Sequence, residues 1–191
     1  MTLYSTLTVR HPHSVVRNGL TVVAASLLIA LSAKITVPYF PVPMSMQTLM
    51  ILGLGLALGW RLGVAAVALY LVEGALGLPV FAGTPEKGTG LAYMLGATGG
   101  YLLGFLLAVG LVGWLAEKGW DRNVGLVLVA ALAGSAIIYV PGLLWLGAVV
   151  GWDKPVLEWG LYPFILGDVT KAALAALVFP AAWRFLQSKG V

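Results

Sequence analysis

Long apolar runs with few charges, separated by short polar stretches, dominate this chain. The runs cover residues 18–33, 44–60, 62–78, 97–115, 124–150 and 161–186. A helix needs about 20 apolar residues to cross about 30 Å of hydrocarbon, so the pattern predicts six transmembrane helices. Between the second and third runs there is only a turn, at Trp60–Arg61. Two other connections differ in character. Residues 34–43 hold Pro38, Pro41 and Pro43, which keep the backbone extended and stop the flanking helices. Residues 79–96 hold Pro79 and Pro85 and are rich in Gly, which argues against a regular helix. Irregular backbone at a membrane must be covered by protein or line a cavity. A long connection without secondary structure of its own is usually functional. These two segments are expected to form the lid of a site.

Composition fits a membrane solvent. The 191 residues are 60% hydrophobic and 9% charged, where soluble domains run at about 45–50% and about 25%. Mean hydropathy is +0.98. Eleven Lys and Arg with seven Asp and Glu cannot cover the surface of a soluble globule of this size. A soluble enzyme, a nucleic-acid partner and a disordered chain are thereby excluded, and the fold class expected is an all-α integral membrane bundle. The net charge of +4 comes from singly scattered residues, with no basic stripe. Those residues read as topology determinants. With the N-terminus inside, Arg10, Arg17, Arg61, Lys118, Arg122, Arg184 and Lys189 fall on the cytoplasmic side, against Lys34, Lys87 and Lys154 outside. Seven against three predicts both termini in the cytoplasm and both irregular segments outside. Trp60, Trp114, Trp120 and Trp183 near the inner boundary, with Tyr39, Trp152, Trp159 and Tyr162 near the outer one, agree with that orientation. Residues 1–17 are expected as a polar cytoplasmic tail rather than a signal peptide, on a single domain spanning 1–191.

Small residues recur at helical spacing: Gly55 and Gly59 on the second run, and Gly96, Gly100 and Gly104 on the fourth. Such rows let helix backbones approach closely. They pack the protein's own bundle or join it to another subunit, a homo-oligomeric partner included.

Candidate chemistry is sparse. There is no cysteine, and the two histidines, His11 and His13, lie in the polar tail, so no thiolate metal site, cysteine nucleophile or intramembrane imidazole is available. Residues 83–90 (GTPEKGTG) space Gly83 and Gly88 like a phosphate loop, but Lys87 precedes the second Gly, which breaks the GxxxxGK[ST] order. HExxH and GxSxG are absent. Neither an enzyme, a resident cofactor nor an ATPase is indicated. Ionisable groups inside a membrane are costly and therefore functional candidates. Glu73 sits near the outer end of the third run, expected as an interfacial carboxylate within reach of Lys34 or Lys87. Asp168 and Lys171 stand at i and i+3, on one face of the sixth helix. A buried pair seldom stabilises more than apolar packing would, so its presence argues that it binds something. A neutral polar ligand suits both ends: a carboxylate accepts N–H groups and an ammonium donates to a carbonyl.

Four motifs, in order along residues 20–185, resemble the BioY family, the biotin-specific S components of energy-coupling factor (ECF) vitamin transporters. They are residues 41–49 (PVPMSMQTL), 70–83 (YLVEGALGLPVFAG), 96–105 (GATGGYLLGF) and 167–171 (GDVTK). The resemblance implies an S-component bundle of six helices in a bacterial inner membrane, with a biotin pocket on the outer side closed by the two loops. Asp168 and Lys171 would hold the ureido ring. Tyr101 and Tyr139 would wall the thiophane ring and valeryl chain, and Gln47 would contribute at the mouth of the second helix. Lys87, or backbone N–H groups around Gly88 to Gly90, would meet the carboxylate. The partners implied are a transmembrane coupling protein and two ATPase subunits, which supply the energy. S components commonly carry an AxxxA row on the first helix for docking; here Thr21-xxx-Ala25 and Ser26-xxx-Ala30 stand in its place. The alternatives are a standalone biotin carrier, an S component for another small vitamin, or a structural membrane subunit whose charged pair only neutralises itself.

Overall fold

A computed structural model of the chain describes residues 2–7, 14–37, 40–86 and 88–188. In chain order the elements are α1 (Leu3–Leu7), α2 (Val15–Ser32), β1 (Thr36–Val37), β2 (Met44–Ser45), α3 (Gln47–Leu58) and α4 (Trp60–Ala75). They continue with α5 (Gly90–Met94), α6 (Gly99–Glu117), a 3-10 turn at Trp120–Arg122, α7 (Val124–Val150), α8 (Val156–Gly160) and α9 (Tyr162–Ser188). Two helix starts are fixed by capping side chains. Ser14 caps α2 by accepting from the Arg17 amide at 3.3 Å, and Asn123 caps α7 by accepting from the Leu126 amide at 3.2 Å. Each satisfies an amide the first turn leaves unpaired.

Among the described residues, four stretches are long and apolar enough to cross a membrane: α2, α6, α7 and the run Val156–Ser188 that contains α8 and α9. The chain is therefore a multi-pass membrane protein. The second and third predicted spans are shorter than their apolar runs. α3 has 12 residues and α4 has 16, lengths of about 18 Å and about 24 Å at 1.5 Å per residue. The break between them falls at Gly59 rather than at Trp60–Arg61, because Gly59 adopts φ +82°, a conformation that favours glycine. Sequence reading also missed short elements. Residues expected as an irregular 34–43 loop contribute β1, which pairs antiparallel with β2, Thr36 opposite Ser45 and Val37 opposite Met44. The 79–96 segment contains the five-residue α5. Part of the expected N-terminal tail is helical, as α1 and the first turn of α2. His11, His13, Arg10, Lys189, Pro38 and Tyr39 lie outside the described residues.

α6 is the axis of the bundle, with α3, α4 and α7 packed around it. Gly100 and Gly104 make the α6–α7 contact possible: a Cβ on Gly100 would stand 2.2 Å from the Pro141 carbonyl oxygen, and one on Gly104 2.7 Å from Ile138 Cα. Gly55 lies against Val109 and Gly113 of α6. These members of the small-residue rows thus pack the protein's own bundle. Gly59 instead makes the turn, and Gly96 abuts the Tyr93 carbonyl. At the opposite end from the lid, the 3-10 turn is tied to α9: Trp183 Nε1 donates to Asp121 Oδ2 at 2.6 Å, and the Arg122 guanidinium lies 4.4 Å over the Trp183 ring. Asp121 is fully buried, and that burial pushes its carboxyl above the usual range.

Gly104→Ala should lower the melting temperature in detergent, with an overpacking cost of about 1–3 kcal/mol. Gly110→Ala should leave it unchanged, since its Cβ would meet only Val64 Cγ2 at 3.6 Å. A raised folded-state pKa means that the native state holds the Asp121 proton more tightly than the unfolded chain, so this group's cost grows as pH rises. Wild-type stability should therefore increase on acidification toward the ordinary carboxylate range. Asp121→Asn, which keeps an acceptor for Trp183, should remove that increase; thermal melts across a pH series measure both.

Candidate functional site

Inward-facing stripes on three helices converge below the loops. On α6 the stripe is Tyr101, Leu102 and Phe105, preceded by Thr98; on α7 it is Ile138 and Tyr139; on α9 it is Phe164, Asp168 and Lys171, at i, i+4 and i+7. With Val42, Pro43, Ser45, Gln47, Thr48, Ala82 and Tyr93 from the loops and the start of α3, they enclose a cavity with about 560 Å³ of empty space out to its mouth.

One wall of the cavity is polar. The Asp168 and Lys171 side chains are only 6% and 12% exposed, with Nζ 3.4 Å from Oδ1. Lys171 Nζ also donates to the Ser45 carbonyl at 2.9 Å and to Thr48 Oγ1 at 2.7 Å. Thr48 passes its own proton to Asp168 Oδ1 at 3.2 Å, and the Tyr139 hydroxyl donates to Oδ2. All three ammonium protons are engaged, and the carboxylate uses three of its about four acceptor positions. Buried ions need this degree of satisfaction, because each desolvated charge costs several kcal/mol.

The opposite walls are aromatic. Tyr101 donates to the Gly160 carbonyl at 2.9 Å and meets the Tyr139 ring edge to face at 6.2 Å. Gly142 and Gly160 leave room for it: a Cβ at either would come within 2.6 Å of the Tyr101 ring or hydroxyl. In the roof, Phe81 stacks on Tyr93 at 4.8 Å, and the Tyr93 hydroxyl donates to the Ala82 carbonyl at 2.8 Å.

Of the residues singled out in the sequence, Asp168, Lys171, Tyr101, Tyr139 and Gln47 share this cavity. Gly90 does not line it; it opens α5 at φ +67°, nearest the Ala75 carbonyl and Gly77. Lys87 lies outside the described residues. The expected approach of Lys34 to Glu73 is replaced by another arrangement. Lys34 Nζ sits among lid oxygens, 2.5 Å from the Pro79 carbonyl, 3.1 Å from the Thr84 carbonyl and hydroxyl, and 3.3 Å from the Phe81 carbonyl. Glu73 turns to α2 and accepts from Ser26 Oγ at 3.0 Å. A flexible ammonium finds several backbone oxygens in the loop, which a count of charges does not reveal. Sequence reading missed Ser45, Thr48, Tyr93 and Phe164. Phe164 was within reach, one helical turn before Asp168 on the same face. Thr48 was not, because its partner is 120 residues away.

A membrane-embedded helical bundle holding an apolar cavity, with a hydrogen-bonded ion pair on one wall and loops over the top, defines a small-molecule capture protein. The chain belongs to the BioY family, whose model matches residues 5–188. It is 37% identical over 151 residues to a probable biotin transporter BioY of Pyrococcus horikoshii, covering 79% of this chain and 86% of that protein. The biotin transporter BioY of Thermotoga maritima is 38% identical with the same coverage, and that of Rhizobium etli is 34% identical, over 83% of this chain and 88% of the relative. A crystal structure of the S-component for biotin from an ECF-type ABC transporter superposes with a TM-score of 0.73 at 26% identity, covering 88% of this chain and 92% of that one.

Lys34→Met removes the ammonium that gathers the lid carbonyls. Amide hydrogen exchange over residues 78–86 should quicken about tenfold, with no change in α6 or α7; equal protection in both proteins would show that the loop is held by its other contacts alone.

Proposed function

We propose that this chain is the biotin-binding S component of an ECF transporter, capturing biotin for uptake into the cell. The Asp168–Lys171 pair on the cavity wall carries the reading. Biotin's ureido group offers two N–H donors beside one carbonyl. Asp168 has an acceptor position left for an N–H, and Lys171 can turn to the ureido carbonyl by giving up its longest contact, the one to Asp168 at 3.4 Å. Charge-assisted hydrogen bonds of this kind orient the ring head-first. The thiophane ring and valeryl chain then lie against Tyr101, Tyr139, Phe105 and Phe164, and Gln47 borders the entrance. The carboxylate faces the 79–96 loop, where Lys87 is the donor the sequence offers.

Six spans complete this reading: α2, α3, α4, α6, α7 and α9. Both termini lie on the cytoplasmic side of a bacterial inner membrane, as the distribution of Lys and Arg favours. Biotin enters from outside beneath the two loops. A transmembrane coupling protein and two ATPase subunits drive its release inside.

Equilibrium binding to the purified protein in detergent tests this, with thiamine and riboflavin as competitors. Saturable binding displaced by biotin alone is expected. Asp168→Asn and Lys171→Ala should each weaken it about 10–100-fold, the effect of losing a hydrogen bond to a charged group. Full affinity in either well-folded variant would refute the site assignment. Absence of binding by well-folded wild-type protein would refute the choice of biotin.

A further inference from the structure

From the cavity wall a second polar chain runs from the ion pair to the lid. Lys171 Nζ donates to the Ser45 carbonyl at 2.9 Å, and Ser45 Oγ donates to Gln47 Oε1 at 3.1 Å. Gln47 Nε2 then donates to the Tyr70 oxygen at 2.7 Å, and the Tyr70 hydroxyl donates to the Val80 carbonyl at 3.4 Å. Proton counting makes this direction unique. A carbonyl can only accept, so the single Tyr70 proton is committed to Val80. Tyr70 must then accept from Gln47, which turns the Gln47 amide oxygen toward Ser45 and commits the Ser45 proton in turn.

Tyr70 is fully buried on α4 and does not line the cavity. It meets the lid twice, through the Val80 carbonyl and through an edge-to-face contact with Phe81 at 5.4 Å. Phe81 in turn rests on Gly74, whose Cβ would fall 2.0 Å from the ring. A tyrosine that touches the roof and not the ligand space has no direct part in recognition. It can, however, govern how long the roof stays shut.

We propose that Gln47 and Tyr70 are positioning residues whose hydrogen-bonded chain couples occupancy of the Lys171 wall to closure of the loop at Val80. This rests on the biotin reading for its ligand. A ligand that fixes the ammonium fixes the Ser45 carbonyl, hence the Ser45–Gln47–Tyr70 chain, and so the loop over it. The Tyr70–Val80 bond is the longest of the four and is the one that breaks when the lid opens.

Tyr70→Phe keeps the ring and its contact with Phe81 while deleting the last link. Biotin dissociation should quicken about 3–10-fold, the effect of one net hydrogen bond, with the association rate unchanged. Amide exchange over residues 78–84 should rise with and without biotin. In the Gln47→Leu background, adding Tyr70→Phe should give no further increase in dissociation, because the chain is already cut. A wild-type dissociation rate in Tyr70→Phe would overturn the proposal, as would a lowered melting temperature and slowed association with dissociation unaltered, the pattern of a packing role. Should the wild-type protein bind no biotin, the functional reading fails by itself, and the exchange experiment still decides the lid anchor: unchanged exchange in Tyr70→Phe overturns it and faster exchange supports it.

Discussion

The structure depends on keeping one ammonium and one carboxylate satisfied inside an apolar bundle. Asp168 and Lys171 both come from α9, yet their partners come from β2, the first turn of α3 and the middle of α7. Neither ion can be removed alone without stranding the other, a change that typically costs about 3–5 kcal/mol in a buried pair. The pair therefore acts as a knot that draws three separate parts of the chain to one point. Around that knot the cavity-lining positions of α6, α7 and α9 are aromatic or aliphatic, so the cavity has one polar wall facing apolar ones.

Packing brings those helices close enough for the knot to form. In lipid the hydrophobic effect offers little drive for helices to associate, and close backbone contact takes its place. Gly100 and Gly104 let α6 lie directly on α7 near Pro141 and Ile138. That approach places Tyr101 beside Gly142 and Tyr139, and so sets the width of the cavity. The polar knot and the glycine contact are complementary: one specifies which faces meet, the other how near they come.

Much of this was legible in the residues themselves. The fifth apolar run, 124–150, coincides with α7, which Asn123 and Gly151 bound in the folded chain. Asp168 and Lys171 stood out because charges are rare in such surroundings, and Tyr101 and Tyr139 were expected beside them as the aromatic walls the resemblance requires. Elements short enough to be set by tertiary contact escaped: the β1–β2 pair, α5 and the early end of α3. So did contacts made to backbone. Lys34 was matched with Glu73 by charge, whereas the folded chain gives it carbonyl oxygens. Ser45 and Gln47 lay within a recognised motif, but their roles depend on Lys171 and Tyr70, distant in sequence.

The bundle divides by what each helix touches. α6, α7 and α9 carry the cavity stripes, while α2 and α4 hold the roof, α2 through Lys34 at its end and α4 through Tyr70, Gly74 and the Glu73 carbonyl, which accepts from Leu78. α3 joins the two halves, since Thr48 belongs to the knot and Gln47 to the chain leading to the lid. The ions of the knot cannot be separated cheaply, because each would be left unpaired among apolar side chains. The roof is held separately, by the Lys34 ammonium at the end of α2 and by the neutral Tyr70 hydroxyl on α4. The side chains that line the cavity and those that hold its roof thus lie largely on different helices.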